Sequence, residues 1–200
     1  MKVTEIFNSL QGEGVNSGVP MTFIRLSDCN LRCSYCDTKY AFDEGRDVSL
    51  DDLYERLDHT WVCITGGEPL LQDLDSLVAE LKERRHKIEI ETNGSLPPPE
   101  WAYLVDTWVV DSKCPSSNMK SVAISEWCRV AHCEKYVVST PEDLAAVQHN
   151  SVGPTIVSPM AHSEGFYIPW CRTVWEFCVV HNYRFSMQLH KIVFGNSKGV

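Results

Sequence analysis

The stretch MTFIRLSDCNLRCSYC, residues 21–36, decides how the rest of the chain is read. Residues 21–26 are apolar at Met21, Phe23, Ile24 and Leu26, which reads as a buried strand. That strand delivers the chain to Cys29, Cys33 and Cys36, spaced CxxxCxxC. Upstream, residues 3–7 read as a short strand. Residues 10–20, rich in Gly, Ser and Asn, read as a loop. Downstream, strands are expected at 61–65, 87–91, 107–111, 136–138, 155–158 and 185–189. Ser49 with Asp52 makes a capping-box-like start, and Leu50, Leu53, Tyr54 and Leu57 continue as an apolar stripe. Leu74, Leu77, Val78 and Leu81 mark a second helix, Pro141 opens a third, and Trp170, Val174, Phe177 and Cys178 mark a fourth.

Strands alternating with helical patterns imply βαβ units. Polar and glycine-rich segments follow the strands at 28–38, 66–69, 92–94, 113–117 and 158–160. The carboxyl ends of parallel strands carry the site in such folds, so these five segments are expected on one rim. The helices are too few for an eight-fold barrel. The expected class is α/β: a partial (β/α) barrel or an open curved, mainly parallel sheet, with residues 1–200 as a single domain.

The 200 residues carry a formal net charge of −9, and no basic face emerges, so direct nucleic-acid binding is not expected. Residues 1–20 have no long apolar run and do not read as a signal peptide. No stretch approaches the ~20 apolar residues that span a bilayer, and a cytoplasmic protein is expected. Nine cysteines, an odd number, in such a setting do not read as a disulfide framework; close spacing points to metal binding.

Three thiolates on a tight loop can face one cubane iron–sulfur cluster. They leave one of its four irons open, which is what a cluster that binds and cleaves S-adenosylmethionine (SAM) needs. A zinc site with a fourth ligand from elsewhere, or three unrelated buried cysteines, would show the same spacing. Thr65-Gly-Gly-Glu-Pro69 stands one strand later. Its glycines let the backbone approach closely, and Glu68 can accept from an ammonium group; alone it could be a turn that starts a helix.

The CxxxCxxC spacing, with Tyr35 before its third cysteine and the GGEP segment behind it, resembles the radical SAM superfamily. Over nearly the whole chain the sequence is similar to the 7-carboxy-7-deazaguanine synthase family. The pieces that carry this are Leu10-Gln-Gly-Glu-Gly14, Phe23-Ile-Arg25, Cys36-Asp-Thr38, the segment from Asp111 to Met119, and Gln188-Leu-His-Lys191 with the terminal Gly199-Val200. The resemblance implies a [4Fe–4S] cluster on Cys29, Cys33 and Cys36, SAM, and Mg²⁺ at Thr38. It implies a ring contraction of 6-carboxy-5,6,7,8-tetrahydropterin to 7-carboxy-7-deazaguanine with loss of ammonia. The product is a precursor of 7-deazaguanine bases such as queuosine.

The resemblance also distributes residues. Tyr35, Asp37, Gly66, Gly67, Glu68, Asp111, Ser112, Lys113, Ser158 and Met160 are expected at SAM. Leu10, Gln11, Gly12, Glu13, Arg25, Thr65, His190 and the terminal carboxylate of Val200 are expected at the pterin. Chemically, Gln11 and Glu13 suit an amide-and-amine edge, and a guanidinium at Arg25 can hold a carboxylate bidentately. A homodimer and an external electron donor of the flavodoxin or ferredoxin type are implied. Two other readings stay open at this point: a small glycyl-radical activase, with a protein substrate, and a non-enzymatic zinc-binding module.

Overall fold

A computed structural model describes residues 1–119, 123–162 and 165–200. β1 (Lys2–Leu10) and β2 (Pro20–Leu26) form an antiparallel pair in which Glu5 faces Arg25. The cysteine loop follows, then β3 (Arg46–Asp47), which pairs with β1. α1 (Leu50–Tyr54) starts as its sequence indicates, with Ser49 Oγ accepting from the Asp52 backbone N–H at 3.1 Å. β4 (Trp61–Gly66), α2 (Asp75–Glu83), β5 (Lys87–Thr92), β6 (Thr107–Asp111) and β7 (Cys133–Val138) come next. α3 (Pro141–Ala146), β8 (Thr155–Pro159), α4 (Ile168–His181), β9 (Arg184–Phe185) and α5 (Leu189–Phe194) complete the chain.

The strands form one nine-stranded sheet in the order β3-β1-β2-β4-β5-β6-β7-β8-β9, parallel from β2 onward. This is the expected α/β class. One face carries the main core, where Ile24, Leu26, Ile64, Ile88, Ile90 and Trp108 bury against Leu77, Val78 and Leu81 of α2. Full burial of each such side chain stabilises by about 1.5–3 kcal/mol. The other face is polar near its carboxyl-terminal end, and the site opens there.

Two strand expectations differ from the structure. The last strand, expected at 185–189, ends at Phe185 and Leu189 opens α5. β9 pairs only with β8, and Gln188 leaves the sheet because its amide is taken by Glu13. β7 begins at Cys133, three residues before the expected 136, because Glu134 and Lys135 form buried pairs inside the strand. The links from β5 to β6 and from β6 to β7 are made by 3-10 turns, Glu100–Leu104 and Ser125–Arg129.

Candidate active site

The rim assembles as the order of the strands requires. The cysteine loop is tied to its neighbours by Asn93 Nδ2 donating to Asn30 Oδ1 at 3.0 Å, and by Ser34 Oγ donating to the Ser116 carbonyl at 2.7 Å. The GGEP turn meets it most closely: the Glu68 N–H donates to the Asp28 carbonyl at 2.8 Å. A Cβ at Gly67 would sit 1.6 Å from that same oxygen, so only glycine fits.

The rim encloses a cavity of about 380 Å³. Cys29, Cys33 and Cys36 all line it, and none is in a disulfide. The Leu31 N–H donates to Cys29 Sγ at 3.4 Å, the kind of N–H···S contact that tunes a cluster thiolate. Burial pushes all three thiols above their ordinary value. A ligand that replaces their protons removes that penalty. Three free thiols with one cavity in front of them fit a cubane with an open iron.

Tyr35, Asp37, Gly66, Gly67, Asp111, Lys113 and Met160 also line the cavity. The Tyr35 hydroxyl is buried without a hydrogen-bond partner among the described residues. The structure does not bring three expected SAM residues to the cavity wall. Ser112 points to the opposite face and donates to Glu134 Oε1 at 2.6 Å, since side chains alternate past Asp111. Glu68 turns inward and its carboxylate accepts from Thr92 Oγ1, from the Asn93 N–H and from the Leu70 N–H, so it holds the GGEP turn in place. Ser158 is fully buried beside Val137 in the β7–β8 register, its Oγ without a partner among the described residues.

The expected pterin residues, Leu10, Gln11, Gly12, Glu13, Arg25, Thr65, His190 and Val200, all line the same cavity, as does Thr38. α5 docks on the residue 11–13 loop: the Leu189 N–H donates to the Gly12 carbonyl at 3.1 Å, and a Cβ at Gly12 would lie 2.5 Å from His190 Nδ1. Arg25 is held through Nε by Glu5 Oε1 at 2.7 Å, and the Tyr40 hydroxyl donates to that oxygen as well. Thr38 Oγ1 donates to Asp37 Oδ1 at 2.8 Å, and Asp37 pairs with Lys191 at 3.1 Å.

Among the lining residues not expected as site members are Glu91, Lys135, Gln188 and Lys191. Glu91 accepts from Thr65 Oγ1 at 2.7 Å and from Gln11 Nε2 at 3.1 Å. The alternation in KIEIET could have found it, because a strand central to a parallel sheet is apolar on both faces unless one face lines a polar site. Lys135 Nζ lies 2.6 Å from Glu13 Oε2. Burial raises the Glu13 carboxyl, but Lys135 and the Gln188 hydrogen bond outweigh it and hold Glu13 below its ordinary value. Below these groups, ligand atoms of Cys63, Glu89 and Glu91 lie within 4.8 Å of one another. The Gln11 amide nitrogen donates to both carboxylates there, occupying the place a cation would take.

Comparison with known proteins agrees with this geometry. Residues 24–110 match the radical SAM superfamily. The chain is 33% identical to a 7-carboxy-7-deazaguanine synthase from Pyrobaculum aerophilum, over 100% of this chain and 97% of that one. It is 35% identical to one from Methanospirillum hungatei (96% and 85% covered) and 30% identical to one from Escherichia coli K12 (94% and 96%). The crystal structure of QueE from Escherichia coli superposes with a TM-score of 0.76 at 26% identity, covering 94% of each chain. The chain belongs to the 7-carboxy-7-deazaguanine synthase family of the radical SAM superfamily.

Proposed function

We propose that this enzyme contracts 6-carboxy-5,6,7,8-tetrahydropterin to 7-carboxy-7-deazaguanine and ammonia, for 7-deazaguanine biosynthesis of the queuosine type. The observation that carries this is one cavity lined by three free cysteines on one side and by Gln11, Glu13, Arg25 and Glu91 on the other. A [4Fe–4S] cluster on Cys29, Cys33 and Cys36, with SAM, would supply the hydrogen-abstracting chemistry. The chain's own residues bind and orient the substrate. Gln11, Glu13 and Glu91 offer acceptors to the pterin's amine and N–H edge. Arg25, steadied by Glu5, takes its carboxylate. Asp111 at the end of β6 and Lys113 just past it would hold SAM, with Tyr35, Asp37, Gly66, Gly67 and Met160 lining the same part of the cavity. Thr38 gives a neutral oxygen to Mg²⁺, which otherwise keeps waters and substrate oxygens. Val200 lines the cavity near its rim. The enzyme works as a cytoplasmic homodimer and takes its electron from a flavodoxin- or ferredoxin-type donor.

Anaerobic incubation of reconstituted protein with the carboxytetrahydropterin, SAM, reductant and Mg²⁺, followed by mass spectrometry, tests this. The wild type should bind about four irons per chain, as one cubane implies, and release 7-carboxy-7-deazaguanine. Cys33→Ala should lose most of its iron and all turnover, while Cys171→Ala, in the core under α4, should keep both. Thr38→Ala should keep its iron and lose its response to Mg²⁺. Zinc in place of iron, or no deazaguanine from the free pterin, would refute the assignment.

A further inference from the structure

β7 contributes a charge that the functional assignment does not use. Lys135 stands opposite Asp111 in the β6–β7 register, and its side chain is 10% exposed. Its Nζ lies 2.6 Å from Glu13 Oε2 and 3.5 Å from Asp111 Oδ2. Each carboxylate has a second partner on its far side. Gln188 Nε2 donates to Glu13 Oε1 at 2.9 Å, and Lys113 Nζ lies 2.9 Å from Asp111 Oδ1. Two acids and two lysines thus form a balanced chain across the cavity, from the residue 11–13 loop to the cluster side.

We propose that Lys135 is a positioning residue that fixes the carboxylates at both ends of the cavity: Glu13 toward the pterin and Asp111 toward SAM. This rests on the function proposed above. A buried ion pair is a poor way to stabilise a core, because desolvation offsets the attraction. Here the pairs face an open cavity, and both acids are needed there as charged acceptors. Without Lys135, the cation that Glu13, Asp111 and Glu91 share is gone, and Gln188 and His190 of the C-terminal segment remain beside Glu13. Burial then favours the protonated acid, and Glu13 no longer accepts from two donors at once.

The test uses binding of the product, 7-carboxy-7-deazaguanine, and of SAM to the reconstituted enzyme by anaerobic calorimetry. It also follows the pterin KM. Lys135→Ala should weaken product binding tenfold or more and SAM binding threefold or more. Glu13→Gln should weaken only product binding. In Lys135→Ala, product affinity should gain a new pH dependence, tightening as rising pH ionises Glu13. That dependence should vanish in the Lys135→Ala, Glu13→Gln double variant, which isolates it from His190. Propylammonium should restore product binding to Lys135→Ala, while propanol should not. Lys135→Met, which keeps the volume, should show the same losses without rescue. Variants that fold by circular dichroism and bind both ligands within twofold of wild type overturn the proposal, as does equal rescue by propanol. Wild-type enzyme that neither turns over the pterin nor binds the product refutes the functional assignment itself, a distinct outcome.

Discussion

Glu89 is 1% exposed on β5, beneath the cavity. Burial and the nearby Glu91 push its carboxyl up to about 7, against hydrogen bonds from Asn16 and Gln11 that favour the charged form. An acid whose folded pKa is raised holds a proton in the native state that the unfolded chain has released. Stability therefore falls as pH climbs from the ordinary value of 4.5 to about 7 and is flat beyond. Glu89→Gln removes that slope while keeping an acceptor for Gln11. Its melting temperature relative to wild type should rise between pH 5 and pH 8, reflecting on the order of 1–3 kcal/mol. A difference that is constant with pH would show that Glu89 is ionised throughout. The alternation of Glu89 and Glu91 with Ile88 and Ile90 marks one polar face of β5. Which side of the sheet that face meets is settled by where the helices pack.

At the scale of elements, the cysteine loop and the GGEP turn were readable because each is a contiguous motif with one workable geometry. Lys135 was not, because two charges at the start of β7 read locally as loop; their partners Ser112, Glu13 and Asp111 come from elsewhere. α5 was missed because it has no buried apolar stripe and is placed by docking on the residue 11–13 loop, a contact between distant parts of the sequence. Glu68 sits in a readable motif, but that its side chain turns inward to hold Thr92 and Asn93 is visible only in the fold. The GGEP turn and the cysteine loop should consequently behave as one unit. Gly67→Ala places a methyl against the Asp28 carbonyl, one residue before Cys29. Relieving that overlap costs ~1–3 kcal/mol of local strain. The fold should survive by circular dichroism, while iron bound after reconstitution drops to under half of wild type. Full iron content in Gly67→Ala would show that the two segments move independently.

For the whole molecule, the parallel sheet and the rim follow from strand order and were legible before any geometry. The outer surface was not, because exposure depends on which helix faces find a neighbour. α4 buries Cys171, Val174 and Cys178 against the sheet but leaves Val179 71% and Val180 78% exposed, with Ile168 and Trp175 on the side of Val179. α5 likewise exposes Ile192, Val193 and Phe194. Exposed apolar patches of this kind are interaction surfaces, and the proposed homodimer would cover this one with a second copy. A two-fold interface places the same patch on both partners, so one pair of charges introduced on α4 enters it twice. Wild-type protein should sediment at about twice the chain mass of 22.7 kDa at micromolar concentration. Val179→Asp with Val180→Asp should sediment near the single-chain mass with an unchanged circular dichroism spectrum, because exposed positions tolerate charge within about 0.5 kcal/mol. A monomeric wild type would remove the dimer, and a dimeric double variant would move its interface away from α4.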